Sequence, residues 1–102
     1  MTMLDKADGQ IFTENVRLVH AVGMHARPAV KLTKLAKKFQ AQISVRVAGA
    51  TEWINAKSVA KIMAMRAAHG STIEIKASGS DAQAAVAALV NLIATDFPDE
   101  AS

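Results

Sequence analysis

The apolar residues of this chain change their spacing repeatedly, from every second position to every third or fourth and back, and that alternation dictates short strands interleaved with helices. Val16, Leu18, His20 and Val22 alternate with Arg17, Val19 and Ala21, which predicts a first strand ended by Gly23. Over residues 26–39 the period is helical: Ala29, Leu32, Leu35, Ala36 and Phe39 share one arc, while Lys31, Lys34, Lys37 and Lys38 share the other. Pro28 falls in the first turn, where its missing N–H is no loss because no helical acceptor awaits it. Ile43, Val45 and Val47 then alternate with Ser44 and Arg46, Ala48-Gly49-Ala50 offers a turn, and residues 52–56 return as the second strand of a hairpin. Trp53 on that strand is expected to cover the surface or anchor the core.

Ser58 is placed to cap a short helix running through about residue 68, closed by His69-Gly70. Ile73, Ile75 and Ala77 alternate with Glu74 and Lys76 as a further strand, broken by Gly79. Ser80 followed three residues later by Gln83 has the form of a capping box. The helix it opens buries Ala82, Ala85, Val86, Leu89 and Ile93 and ends before Pro98. The order β-α-β-β-α-β-α with short connections predicts an α+β fold, one four-stranded antiparallel sheet with three helices on one face. The expected organisation is a flexible N-terminal extension over residues 1–14, one domain over residues 15–95 and a C-terminal tail over residues 96–102.

At 102 residues the chain holds one domain, and 51% hydrophobic against 21% charged residues is enough apolar material for a core. The absence of cysteine excludes disulfides and thiolate metal sites and suits a reducing cytoplasm. No apolar run approaches the roughly 20 residues that span a bilayer. The mixed charge of residues 1–8 lacks a signal-peptide core, so the chain is expected to be soluble and cytoplasmic. A net charge of +3 steers it toward acidic partners or nucleic acid. The four lysines on one helix face permit phosphate contacts, but three Phe and one Trp supply little stacking and no nucleic-acid motif is readable. Nucleic acid is therefore not the expected partner.

The chemistry concentrates in Gly23-Met24-His25-Ala26-Arg27-Pro28-Ala29. It sets one histidine between a strand end and the first turn of a helix, where unsatisfied N–H groups and the positive end of the helix dipole make an anion site. Imidazole is largely unprotonated near neutral pH and can form covalent intermediates. Arg27, two residues on, can offer a planar guanidinium to phosphoryl oxygens. On the residues alone, His25 is either a polar cap or a nucleophile. His20 and His69 read as structural, the one ending a strand and the other a helix. A nucleophile without an enclosed pocket or a second catalytic group does not make a self-sufficient enzyme.

The motif resembles the phosphorylation site of the HPr family, the histidine-containing phosphocarriers of the bacterial phosphotransferase system. The resemblance continues through Lys57-Ser58-Val59 and Ala77-Ser78-Gly79-Ser80-Asp81 and covers about residues 15–95. It implies the family's open-faced β-sandwich and a phosphoryl group accepted on Nδ1 of His25 from phosphorylated Enzyme I and passed to IIA domains of sugar permeases. Ala26 and Arg27 would bind the phosphoryl group. Ser58 would be the target of HPr kinase/phosphorylase, and Met24, Lys34, Lys37, Val59 and Met63 would form the docking surface. It implies a monomer with no cofactor or metal, and it leaves open a nitrogen-branch or regulatory paralogue with a different IIA partner. The segment Ala48-Gly49-Ala50-Thr51-Glu52-Trp53-Ile54-Asn55 is longer than the commonest family spelling.

Overall fold

The computed structural model describes residues 10–98, so the parts of the expected 1–14 extension and 96–102 tail that fall on residues 1–9 and 99–102 lie outside the described residues. The elements run β1 (Ile11–Arg17), α1 (Ala26–Ala36), β2 (Gln42–Val47), β3 (Ile54–Asn55), α2 (Val59–Ala64), β4 (Thr72–Ser78) and α3 (Ala82–Ala94). The strands form one antiparallel sheet in the order β1-β4-β2-β3. The order of elements and the sheet are those the periodicity predicts.

Facing residues in an antiparallel ladder share a side of the sheet. Phe12 opposite Ala77, Val16 opposite Ile73 and Val45 opposite Ile75 therefore point to the helices. There they meet Leu32 and Ala36 of α1, Ile62 of α2 and Ala85, Leu89 and Ile93 of α3, all fully buried. Each such Leu or Ile contributes roughly 1.5–3 kcal/mol by leaving water. The other face is open. On it Trp53 is half-buried between two cations, the Arg46 guanidinium 4.2 Å and the Lys76 ammonium 4.3 Å from its ring centroid. Arg46 in turn pairs with Glu74 across the strands. Trp53 is thus a surface cover held by cation–π contacts, not a core anchor.

Several boundaries differ from the sequence reading: the first helix ends at Ala36 and not at residue 39, and the return strand of the hairpin is Ile54–Asn55 and not residues 52–56. The first strand starts at Ile11 and ends at Arg17, so residues 11–14, expected in a flexible extension, pair with β4 along Ile11↔Ser78 to Glu14↔Ile75. Val19, His20 and Val22, expected in that strand, lie in the loop that follows. The second helix stops at Ala64, not near residue 68, and the chain leaves it through Arg66 in the left-handed region, φ 52°. Residues 67–71 are drawn instead onto the β1–α1 loop: Met24 N–H donates to Ala67 O at 2.9 Å, Gly70 N–H to Leu18 O at 2.8 Å and Leu18 N–H to Ser71 O at 2.8 Å.

The last helix begins after Asp81, and the expected Ser80–Gln83 box is not its cap. Asp81 does not cap with its side chain either: its two oxygens accept the N–H groups of Gln40 at 2.9 Å and Ala41 at 2.8 Å, tying the start of α3 to the start of β2. The Gln40 N–H above all, with that of Ala41 and the nearby Lys57 charge, holds the carboxyl below its ordinary value against the opposing effect of desolvation. Among the described residues no helix is long and apolar enough to cross a membrane. Phe97, assigned to the tail by sequence, is buried against the core.

Candidate functional site

The β1–α1 loop is held in two ways. It turns tightly on itself, Gly23 N–H donating to His20 O at 3.0 Å and His25 N–H to Gly23 O at 3.1 Å, and it is pinned to the segment after α2 by the Met24–Ala67 bond. Gly23 has φ +76°, and a Cβ there would stand 2.5 Å from Ala67 O. Only glycine fits such a close approach without displacing backbone. His25 consequently arrives at the mouth of α1 with extended backbone, φ −111° and ψ −166°, as the N-cap residue.

Its side chain does not cap. No N–H of the first turn is bonded by the His25 ring, whereas Ser58, the N-cap of α2, accepts the Lys61 N–H on Oγ at 3.2 Å. His25 is half-buried, its Nε2 fully enclosed and without a hydrogen-bond partner. Nε2 is thereby closed off from any incoming group. The first helical acceptor, His25 O, is taken by Ala29 N–H at 3.0 Å. Ala26 and Arg27 therefore keep N–H groups with no acceptor inside the helix, Pro28 has none, and the positive end of the dipole adds to theirs. Arg27 is exposed in that first turn, beside the cap.

The sequence-derived site residues fall into three groups. His25, Ala26 and Arg27 sit together at the mouth of α1. Lys34 and Lys37 are exposed on α1 and its C-cap, while Met63 is 40% exposed and Val59 half-buried on α2, which packs beside α1. Met24 corrects the expectation. It is 5% exposed and part of the core, because its N–H bond to Ala67 turns the side chain inward, so it offers no docking surface. Two further residues stand near the site, Val22, which the sequence reading puts in the first strand, and His20, which it takes as structural. Val22, 68% exposed, stands on the loop three residues before His25, and the ring of His20 lies against that of His25. No local pattern marks either. Three grooves among the described residues, between the β2–β3 hairpin and α2, between α1 and α3 beside Lys34, and between β1 and α3, are not lined by His25.

A helix-bearing antiparallel sheet with one histidine set at the mouth of its first helix is the arrangement that a comparison with known proteins has to match. The comparisons place it further. The family model described as the PTS HPr component phosphorylation site matches residues 12–95. Phosphocarrier protein HPr of Treponema pallidum is 36% identical over 87 residues, covering 85% of this chain and 97% of that protein. Phosphocarrier protein NPr of Escherichia coli K12 is 34% identical over 87 residues, covering 85% and 96%. The crystal structure of HPr from Bacillus anthracis superposes with a TM-score of 0.75 at 34% identity, over 81% of this chain and 96% of that one. The chain belongs to the HPr family of phosphocarrier proteins of the phosphotransferase system.

Proposed function

We propose that this protein accepts a phosphoryl group on Nδ1 of His25 from phosphorylated Enzyme I in the cytoplasm and passes it to a IIA domain, acting as a monomer. The observation that carries this reading is the state of the His25 ring: at the mouth of α1, unspent on capping, with Nε2 enclosed, which leaves Nδ1 as the nitrogen for an incoming group. For Nδ1 to attack, its lone pair must be free, so the proton of the neutral ring sits on Nε2. The bond from phosphorus to the donor atom breaks as the bond to Nδ1 forms. The negative charge on the phosphoryl oxygens is met by the N–H groups of Ala26 and Arg27, the helix dipole and the Arg27 guanidinium.

The enclosed Nε2 also bears on the second half of the cycle. A ring that gains charge on phosphorylation finds no hydrogen-bond acceptor at Nε2, so the adduct is not trapped by its surroundings and stays a good donor. A carrier needs both transfers to be easy. Lys34 and Lys37 with Val59 and Met63 would dock acidic partners on the α1–α2 face, the lysines acting mainly on the encounter rate. Ser58 would be a regulatory site, since a phosphoryl group at the α2 cap adds negative charge to that face.

A nitrogen-branch role has its own support, because the relative named NPr matches over the same length as the one named HPr, at 34% against 36% identity. The two roles differ only in the partner. Incubation with phosphoenolpyruvate and Enzyme I of each branch, followed by intact mass, tests both readings. One added phosphoryl group, stable in alkali, lost in acid and absent from His25→Ala, is expected. A labelled His25→Ala protein would refute the assignment.

A further inference from the structure

No hydrogen bond orients the His25 ring: its side chain makes no cap bond, and its enclosed Nε2 has no partner. Packing must therefore set its rotation. The ring found against it is that of His20, with centroids 4.9 Å apart and planes at 61°, an edge-to-face contact. His20 is itself fixed from several directions. Its Nδ1 accepts the Val22 N–H at 3.4 Å. Its carbonyl accepts the Gly23 N–H at 3.0 Å and lies 3.2 Å from His69 Nδ1. Its ring also meets that of Phe97 at 6.1 Å and 69°. Phe97 is 4% exposed, and its carbonyl accepts the Lys31 ammonium at 2.8 Å, which ties the end of α3 to α1. A line of support thus runs from Lys31 through Phe97 and His20 to His25.

We propose that His20 is a positioning residue for phosphoryl transfer, its ring holding the His25 imidazole in the one rotation that encloses Nε2 and turns Nδ1 outward. This rests on the reading of His25 as the phosphoryl acceptor. A ring without that neighbour swings, shows each nitrogen in turn, and spends less time aligned with the incoming phosphorus. The role belongs to the ring, not to its nitrogens. Phosphoryl acceptance depends on it although His20 touches no phosphoryl oxygen.

Two substitutions separate the ring from the loop bond. His20→Asn keeps a side-chain acceptor for the Val22 N–H and removes the ring, whereas His20→Phe keeps a ring and removes the acceptor. With phosphoenolpyruvate and Enzyme I as donor, His20→Asn is expected to lower the maximal rate roughly tenfold at unchanged KM, the size expected for a lost ring contact and looser alignment. Its His25 ring nitrogens should lose the single-tautomer signature in 15N spectra. His20→Phe should keep rate and signature near wild type, and Phe97→Leu, which leaves both histidines intact, should show a smaller fall of the same kind. Wild-type rates in both His20→Asn and Phe97→Leu, or a fall in His20→Phe equal to that in His20→Asn, would overturn the proposal. A wild-type chain that takes no phosphate on His25 would refute the proposed function instead.

Discussion

Gly23→Ala tests whether the tension in the β1–α1 loop is what presents His25. A non-glycine residue at φ +76° costs about 1–2 kcal/mol through the clash of Cβ with its own backbone. The new Cβ would also stand 2.5 Å from Ala67 O. That oxygen cannot retreat freely, because it accepts the Met24 N–H at 2.9 Å. Lengthening the bond forfeits much of the ~1 kcal/mol a backbone hydrogen bond contributes. Alanine stiffens the unfolded chain, which offsets about 0.4–1 kcal/mol. The net expectation is a loss of about 2 kcal/mol, read by urea unfolding with an unchanged slope. Because the displaced atoms lie two residues before His25, phosphoryl acceptance should fall by more than the unfolded fraction explains. A loss below about 0.5 kcal/mol, or full acceptance by a destabilised protein, would show that the loop does not depend on this close approach.

Three further outcomes are expected. Arg27→Ala should slow phosphoryl acceptance roughly tenfold to a hundredfold while circular dichroism stays unchanged, since the exposed guanidinium packs little; an unchanged rate would leave the work to the helix amides. Ser58→Ala should cost about 1 kcal/mol by removing the cap on Lys61 N–H, whereas Ser58→Asp should melt no lower than wild type yet accept phosphate from Enzyme I more slowly. Wild-type kinetics in Ser58→Asp would make Ser58 a cap alone. Asp81 has a folded pKa below its ordinary 3.8, so its contribution is fully present above that value and is lost as pH falls through the folded one. Asp81→Asn should lower stability at neutral pH and flatten the acid limb of the stability profile below about pH 3.8, and parallel acid limbs in the two proteins would refute the role of the Gln40 and Ala41 bonds.

The elements legible in the sequence were those whose period is carried by their own residues. Ile43, Val45 and Val47, or Ile73, Ile75 and Ala77, alternate without interruption and lie where alternation puts them. The first strand was displaced because Thr13, Glu14 and Asn15 break its apolar rhythm. An edge strand leaves one side exposed, and what fixes its register is β4, some sixty residues away. The end of α2 escaped for a related reason. Residues 65–68 have good helical composition, but Ala67 and Gly70 gain backbone bonds to Met24 and Leu18 that a longer helix would forbid. Ser80 and Gln83 have the local form of a capping box, yet it is Asp81 that stands at the cap, and its carboxylate is spent on the N–H groups of Gln40 and Ala41 before β2.

The site divides along the same line. His25, Ala26 and Arg27 are contiguous, and a strand end running into a proline-marked helix start is a local signature, so their placement followed from spacing. What governs the orientation of the histidine is not contiguous with it in any readable way. Met24 carries an apolar side chain that composition alone would equally place on a docking surface, and only its bond to Ala67 turns it into the core. His20 has the parity of a strand residue and becomes a ring neighbour of His25 because Gly23 closes a turn on its carbonyl. Phe97 lies past the last period of α3, where sequence marks a tail, and backs His20, its carbonyl held by Lys31 from another helix. A reactive group that makes no hydrogen bond of its own must be oriented by its neighbours' packing. Those neighbours come from the β1–α1 loop and the end of α3, so the proposed phosphoryl acceptor can be read from one segment of sequence and its aim only from the folded chain.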